Sequence, residues 1–302
     1  MISSSVQIIR IKSELRAQIK SWRMEGLTIG MIPTMGALHH GHLSLIRQIQ
    51  QHVDKVVVSI FVNPKQFGPN EDFDKYPRQE TADVMKLEEV QADLLYAPNP
   101  EEMYPGGFLT NVSVSEITEG LCAAKRPGHF DGVTTVVTKL LLQCLPDMAI
   151  FGEKDFQQYV VLKRLTLDLD IPTQVICGDL IRDDDGLATS SRNVYLSPEE
   201  RQIALEIPKT LQQIVKDVES GAIEQGKLSL QKILDKGTEH LLSVGFKEVQ
   251  YLEIRRSEDL APVVDRLTAP SRVLVAAVVG KTRLIDNMPI RVSDKVHPPI
   301  LD

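Results

Sequence analysis

Short apolar runs alternate with amphipathic segments from the start of the chain to about residue 182. The apolar runs predict strands, at residues 27–32, 55–62, 92–97, 148–151 and 173–181, with a weaker edge strand at 112–116. Apolar residues at helical spacing predict helices, at residues 6–25, 43–53, 79–91, 133–144 and 156–167. This alternation is typical of an α/β domain whose mostly parallel sheet is covered by helices on both faces.

The pattern changes from about residue 187. Ser197-Pro198-Glu199-Glu200 is typical of a helix start, because serine caps a helix well and proline is tolerated in the first turn. We predict two helices and then three strands, at residues 198–218, 226–244, 247–255, 271–279 and 282–286. We therefore interpret residues 1–186 as one domain and residues 187–302 as a smaller α+β domain.

Composition and charge narrow the class of protein. The chain has 302 residues, 42% of them hydrophobic, which is enough for two packed domains or for one large one. Its net charge of −7 argues against a large nucleic-acid surface, although a local positive pocket can still bind a small anion. Cys122, Cys144 and Cys177 form no metal or redox pattern. Residues 1–6 do not resemble a signal peptide, and no apolar run approaches the ~20 residues that span a bilayer. We predict a cytoplasmic protein with no nucleic-acid or membrane partner.

The segment between the first predicted strand of the sheet and the next helix carries glycine and histidine. Gly36 and Gly41 allow a phosphate to approach the backbone, and a helix N-terminus attracts anions. His39 and His42 are three residues apart, so both face the same side of the first helical turn. These features favour a nucleotide-phosphate site. A helix start that is His-rich by chance remains an alternative, whereas zinc is less favoured because no Cys pair or nearby carboxylate completes a ligand set.

Two further groups of polar residues follow predicted strands directly. Asn63 and Gln66 follow the second strand, and Lys154 follows the strand at 148–151. The carboxyl ends of parallel strands meet at one edge of a sheet, where ligands bind at the switch in strand order. Lys154 there could neutralise a phosphoryl group, or be a solvated lysine at a helix start. The two amides could hold a carboxylate or hydroxyl, or be ordinary turn residues.

Two other polar groups are open to more than one interpretation. The segment 189–193 offers hydroxyls and a cation, or merely capping and turn chemistry. Asp183, Asp184 and Asp185 suggest a metal cluster, but a solvated charge run is favoured. We expect His129 to be structural. No role is assigned to the remaining histidines, His40, His52, His240 and His297.

Five blocks of sequence resemble the pantothenate synthetase (pantoate–β-alanine ligase) family, which belongs to the H-x-G-H adenylyl-transfer superfamily. The blocks are Pro33–His39 with Gly41-His42, Phe61–Pro64 with Gln66-Phe67, Arg126–Phe130, Gly152–Asp155 with Gln157-Gln158, and Ser190–Asn193. The resemblance implies a Rossmann-like N-terminal domain and a smaller lid domain. It also implies ATP-dependent condensation of pantoate with β-alanine through an enzyme-bound pantoyl adenylate, with release of AMP and pyrophosphate. Mg2+ and a homodimer formed through the N-terminal domains are implied as well.

The resemblance also implies roles for individual residues. The catalytic residues would be His39, His42, Lys154 and Arg192. The ATP-binding residues would be Ile32, Pro33, Thr34, Met35, Gly36, Ala37, Leu38, His39, His42, Gly152, Glu153, Lys154, Asp155, Ile181, Thr189, Ser190, Ser191 and Arg192. Pantoate would be held by Met35, Asn63, Gln66 and Gln158, with Gln66 also near β-alanine.

Two positions depart from many relatives. The second residue of H-x-G-H is often acidic but is His40 here, and we expect its side chain to point away from the ligand. Some relatives have paired acids for magnesium where this chain has Ala82-Asp83, so we assign no protein ligand to the metal. A nucleotidylyltransferase of the same superfamily is an alternative that leaves the amides of Gln66 and Gln158 without a role. A tRNA-binding accessory protein is a second alternative, against which the acidic charge argues.

Overall fold

A computed structural model describes residues 6–69, 71–220, 223 and 228–291. The chain forms two compact units, Met1–Ile181 and Arg182–Asp302. The domain limits inferred from sequence, at residues 186 and 187, stay a proposal. The expectation about a signal peptide rested on residues 1–6, of which residues 1–5 lie outside the described part. His297 also lies outside it.

The first unit contains a six-stranded sheet in which every neighbouring pair is parallel. The strands are β1 (Gln7–Ile9), β2 (Ile29–Thr34), β3 (Lys55–Ile60), β4 (Leu94–Tyr96), β5 (Met148–Gly152) and β6 (Gln174–Gly178), in the spatial order β1-β4-β3-β2-β5-β6. The prediction of a parallel α/β sheet is confirmed. Strand order reverses between β2 and β5, which is where such sheets bind ligands.

Helices cover both faces of this sheet. They are α1 (Lys12–Met24), α2 (His40–Ile49), α3 (Glu80–Glu89), α4 (Pro100–Met103), α5 (Cys122–Lys125), α6 (His129–Cys144) and α7 (Phe156–Asp168), with short 3-10 helices at Pro64–Gln66 and Glu153–Asp155. Alternate residues of a strand point to opposite faces. Val57 therefore joins the core beneath α1, α6 and α7, whereas Val56 and Val58 join the core beneath α2 and α3.

The second unit is α+β, as predicted. Its antiparallel sheet consists of β7 (Glu248–Arg256), β8 (Ser271–Val279) and β9 (Thr282–Ile290). Its helices are α8 (Pro198–Ala204), α9 (Glu206–Glu219) and α10 (Leu230–Ser243), preceded by a 3-10 helix at Ser191–Tyr195. Apolar side chains from α9, α10 and the sheet form one core.

Three predictions were wrong in whole or in part. The helix predicted at residues 6–25 is confirmed only from Lys12 to Met24. Residues 7–9 instead form an edge strand paired with β4, a tertiary contact that local periodicity does not reveal. Residues 112–116 form no strand, because the amide and carbonyl of Val112 bond to the hydroxyls of Thr135 and Thr134 on α6 instead of to a ladder. The helix predicted at 198–218 is two helices, since Pro208 has no N–H to donate to the carbonyl of Ala204.

Other elements differ only in length. The predicted strand at 173–181 is shorter, and the one at 282–286 extends to Ile290. The helix predicted from residue 226 begins at Leu230, after its cap Ser229, and residues 226–227 lie outside the described part. Across the described residues, none of the helices is long and apolar enough to cross a membrane.

Candidate active site

The loop after β2 lies at the reversal of strand order. β2 pairs with β5 through Gly30 and Met31, and Pro33 follows this paired stretch, where its missing N–H interrupts no bond to β5. The Thr34 hydroxyl donates to the carbonyl of Ser59 (2.7 Å) and accepts from the amide of Gly36 (3.1 Å). The central strand therefore delivers residues 35–39 to the switch point in a fixed conformation.

His39 and His42 face each other at the N-terminus of α2. His39 is the residue that precedes the helix, and the two ring centroids are 4.0 Å apart. The amide of His39 donates to Nδ1 of His42 (3.4 Å), so the hydrogen of the neutral His42 ring is carried by Nε2. Desolvation, followed by the positive charges of Lys154 and Lys86, lowers the pKa of His42 to about 4. His42 is therefore a neutral Nε2–H donor at pH 7.

The position of the His39 ring favours glycine at residue 41. A Cβ at residue 41 would lie 3.0 Å from both Cε1 and Nδ1 of His39, closer than side chains normally approach. Glycine in the third position of H-x-G-H thus has a steric reason in this fold. His40, by contrast, is exposed, and the expectation that it points away from the ligand stays a prediction.

Lys154 supplies a cation to the same site. It lies in the 3-10 helix that directly follows β5, and its Nζ is 3.7 Å from Oδ2 of Asp155. Its charge is one cause of the lowered pKa of His42, so ring and ammonium act within electrostatic range of each other. A helix N-terminus, two imidazoles and an ammonium are the groups expected around a polyphosphate.

Met35, Asn63 and Gln66 are brought together beside this loop. Asn63 Nδ2 donates to Gln66 Oε1 (3.1 Å) and to the carbonyl of Gly132 (3.0 Å). Gln66 Nε2 lies 3.1 Å from the sulfur of Met35. The hydroxyl of Tyr104 donates to Asn63 Oδ1 (2.9 Å). Sequence reasoning missed Tyr104 entirely, since it lies in a long loop without a motif.

His129 holds the main chain of Gln66. Arg126 donates to His129 Nε2 (3.0 Å), so the ring hydrogen is on Nδ1, which donates to the Gln66 carbonyl (2.8 Å). Burial, followed by the charge of Arg126, lowers the pKa of His129 to about 4. Arg126 also pairs with both carboxylate oxygens of Glu71, at 2.6 Å each. The structural role expected for His129 agrees with these contacts.

The other predicted pantoate residue, Gln158, is partly exposed in the first turn of α7. Its neighbour Gln157 is buried and holds the segment before α5. Gln157 Oε1 accepts from the amide of Cys122, and its Nε2 donates to the carbonyls of Ile117 and Gly120, each at 3.0 Å. The side-chain amide of Gln157 is therefore engaged by main-chain groups, whereas Gln158 is the more exposed of the two adjacent glutamines.

The predicted ATP residues other than His39 and His42 lie in several segments of the chain. Ile32 to Thr34 end β2, Met35 to Leu38 form the loop, Gly152 ends β5, and Glu153 to Asp155 follow it. Ile181 is the last residue of the first unit, and Thr189 to Arg192 belong to the second. Within the second unit, Thr189 donates to Asp183 (2.7 Å), and the amide of Arg192 donates to the hydroxyl of Ser190 (3.2 Å).

Two members of the aspartate run at 183–185 form ion pairs. Arg201 pairs with Asp183 (2.8 Å) and with Asp185 (2.7 Å). At Asp183 burial raises the pKa, but hydrogen bonds from Thr189, Arg201 and Asn193 outweigh it and lower the pKa overall. At Asp185 the hydrogen bond from Arg201 is the main cause of a lowered pKa. Asp184 and Asp185 are exposed, in agreement with a solvated charge run, whereas Asp183 is half-buried and also bonded to Thr189 and Asn193. Among the described residues, His, Cys, Asp and Glu side chains form no group of three suited to a metal ion.

Comparison with known proteins gave consistent matches along nearly the whole chain. A family model described as pantoate-beta-alanine ligase matches residues 7–289. The pantothenate synthetase of Paramagnetospirillum magneticum is 51% identical over 287 residues, which cover 95% of this chain and 99% of that protein. The pantothenate synthetase of a Chelativorans species is 52% identical over 286 residues, covering 95% and 98%.

Solved structures give the same result. Pantothenate synthetase from Thermus thermophilus matches with a TM-score of 0.84 and 42% identity, over 94% of this chain and 99% of that chain. Pantoate-beta-alanine ligase from Francisella tularensis, complexed with beta-gamma ATP and beta-alanine, matches with a TM-score of 0.78 and 34% identity, over 94% and 97%.

Proposed function

The chain belongs to the pantoate–β-alanine ligase family, and we propose that the loops after β2, β3 and β5 carry its chemistry. The reaction joins pantoate to β-alanine using ATP, through a pantoyl adenylate, and releases pyrophosphate and AMP. The nucleotidylyltransferase alternative is set aside, because the identity to pantothenate synthetases extends over 95% of the chain. What remains to be assigned is the role of each residue.

The triphosphate binds at the N-terminus of α2. The observation that carries this assignment is the convergence of His42, as a neutral Nε2–H donor, with the cation of Lys154 at the reversal of strand order. Attack of a carboxylate on ATP brings two anions together, so charge must be neutralised as the α-phosphorus is approached and pyrophosphate leaves. His39, His42 and Lys154 stabilise that developing charge, each by the equivalent of about 2.7–4 kcal/mol if they act like other positioned donors.

The remaining ATP contacts are assigned by similarity to the family. They are Ile32 to Leu38, Gly152, Glu153, Asp155, Ile181 and Thr189 to Ser191, with Arg192 as a fourth group that stabilises charge. The hydrogen bond of Thr189 to Asp183 and that of Arg192 to Ser190 support an ordered loop in the second unit.

Pantoate lies beside Met35, with its carboxylate directed to the α-phosphate. Gln66 holds it through the side-chain amide, and Asn63 and Gln158 complete the contacts. Asn63 already donates to Gln66 and to Gly132, so in the free protein its first effect is to orient Gln66. The second step needs no side-chain nucleophile, since the amine of β-alanine attacks the activated acyl group once it is held nearby.

Mg2+ accompanies ATP in this proposal. Magnesium commonly keeps several waters and binds substrate phosphates with few protein ligands. When bound with ATP, magnesium would neutralise charge on the phosphates, and we assign no protein ligand to it. A homodimer formed through the N-terminal domains and a cytoplasmic location are likewise proposed by similarity to the family; the molar mass in solution tests the first.

Pyrophosphate release tests the reaction. ATP and Mg2+ with pantoate alone should release about one equivalent of pyrophosphate per site, because the adenylate stays bound. Addition of β-alanine should make release continuous and matched by AMP. A nucleotidylylated product without AMP would identify the alternative transferase. Continuous release without pantoate, or none under any condition, would overturn the proposed function.

A further inference from the structure

Two charged residues of α3 reach the loop that precedes α2. Asp83 and Lys86 are three residues apart and therefore lie on one side of the helix. Oδ1 of Asp83 accepts from the amide of Leu38 (2.8 Å), and Oδ2 accepts from the amide of Ala37 (2.9 Å). Nζ of Lys86 donates to the carbonyl of Leu38 (2.5 Å). Three backbone groups of the loop are thus held by side chains of another element.

The loop needs such support because its backbone is strained. Gly36 and Ala37 both have positive φ, +82° and +50°, and Ala37 has a Cβ that disfavours this region. Conformations of this kind persist only where the surrounding structure determines them. A Cβ at Gly36 would lie 3.1 Å from Oδ2 of Asp83, so glycine is also what lets the carboxylate approach.

The same contacts set the histidine arrangement. Leu38 is followed by His39, whose amide donates to Nδ1 of His42 and so fixes the tautomer of that ring. A loop that relaxed at residues 37 and 38 would move the His39 amide away from His42. The positive charge of Lys86 also lowers the pKa of His42, after desolvation and Lys154.

Asp83 is poorly placed to bind a metal on ATP. The residue is 1% exposed, and each of its oxygens already accepts from an amide. Burial raises its pKa, opposed by the two amide bonds and by the charge of Lys86. The carboxylate therefore faces protein on the sides from which a ligand would have to approach.

We propose that Asp83 and Lys86 are positioning residues that hold the loop at residues 36–38 so that His39 and His42 face the triphosphate, and that Asp83 does not bind the magnesium. The proposal rests on the proposed function of the loop as the ATP site. It extends that function by two residues on a helix that carries none of the sequence blocks.

Kinetics of an Asp83→Asn variant separate positioning from metal binding. Asparagine has the shape of aspartate, but it offers only one oxygen to the two backbone amides of Ala37 and Leu38. Its side-chain NH2 group would face one of those amides, so two donors would meet without an acceptor. We expect kcat/KM for ATP to fall about 10- to 100-fold, with the Mg2+ concentration for half-maximal rate unchanged. Glu89→Gln, the same chemical change at an exposed position of α3, should leave both values unchanged. A raised Mg2+ requirement, with rates restored by excess Mg2+, would overturn the proposal.

The histidine NMR spectrum gives a test that requires no substrate. In the wild-type protein, 15N shifts should report His42 as neutral with its hydrogen on Nε2 between pH 5 and pH 8. We expect Asp83→Asn to mix the tautomers and Lys86→Met to raise the pKa of His42. Unchanged shifts in both variants would overturn the proposal even if the enzyme is active. A folded wild-type protein without pyrophosphate release would instead refute the proposed function, while this measurement still decides the role of the pair.

Discussion

Gly132 on α6 is the point at which a single methyl group should disable the pantoate site. A Cβ built on Gly132 would lie 2.3 Å from the carbonyl oxygen of Lys65, 2.5 Å from its carbonyl carbon and 2.6 Å from the nitrogen of Gln66. All three are backbone atoms, so no side-chain rotation relieves the contact. The 3-10 helix at Pro64–Gln66 packs directly against α6, and Gly132→Ala must push the two apart.

The size of the displacement follows from these distances. Real Cβ atoms essentially never come within 3.0 Å of such neighbours, so the segment that carries Gln66 must move by about 0.7 Å or more. The hydrogen bond from Asn63 to the Gly132 carbonyl (3.0 Å) would lengthen as well. A misplacement of about 1 Å can cost ~100-fold in rate. We expect kcat/KM for pantoate to fall roughly 10- to 100-fold.

The assay is the pantoate dependence of pyrophosphate release, together with ATP affinity and the melting temperature. ATP affinity should change little, because the displaced segment follows β3 and not β2 or β5. Gly106→Ala is the matched control, since a Cβ at Gly106 has nothing within 4 Å and its φ is not positive. A Gly132→Ala protein with wild-type pantoate kinetics would refute the reasoning that this packing places Gln66.

Three further predictions concern single side chains. His39→Ala and Lys154→Ala should each lower turnover about 100-fold or more while the melting temperature is retained, because each removes a charge-stabilising group; near-normal turnover would contradict the assigned roles. The pKa of His129 is about 4 in the folded protein against 6.5 for an ordinary histidine, so the unfolded chain binds more protons between these values. The free energy of unfolding, measured with urea, should therefore fall as the pH drops from 6.5 to about 4. The variant His129→Asn keeps an N–H donor and should show a shallower fall. Identical pH profiles of the two proteins would exclude this linkage. Tyr104→Phe removes the hydroxyl that donates to Asn63, worth about 1 kcal/mol, and should lower kcat/KM for pantoate about 5-fold without affecting ATP; an equal loss for ATP would indicate a general disturbance instead.

The parts of the fold that the sequence predicts are those determined locally. The run Val56–Val58 is apolar on both faces because helices cover both, so β3 could be identified from composition. β1 could not, because its three residues become a strand only by pairing with β4, which lies about 87 residues further along. Residues 112–116 alternate weakly like a strand, but the amide and carbonyl of Val112 bond to hydroxyls on α6.

The candidate site likewise contains contacts that follow from local sequence and contacts that depend on tertiary packing. The three-residue spacing of His39 and His42 predicts that they lie close together, and they do, although His39 precedes α2 with an extended backbone and only His42 is in the first turn. Asp83 is 45 residues from Leu38, and Tyr104 is 41 residues from Asn63, so their contacts depend on the packing of separate elements. A buried aspartate whose partners are backbone amides leaves no pattern in the sequence of either segment.

The strand order of the sheet also has a consequence for how the chain acquires its structure during synthesis. Four neighbouring strands of the sheet, β1, β4, β3 and β2, are complete once residue 96 has been synthesised. The amide of Ile29 on β2, however, bonds to Asp147, which lies 118 residues further along the chain. Closing that long loop is slow compared with local pairing. Until β5 docks, β2 has an open edge that can pair with another chain. The loop at residues 35–39 follows β2, next to the place where β5 pairs. After dilution from denaturant, recovery of activity should therefore depend on the docking of β5 and lag behind the recovery of helix content.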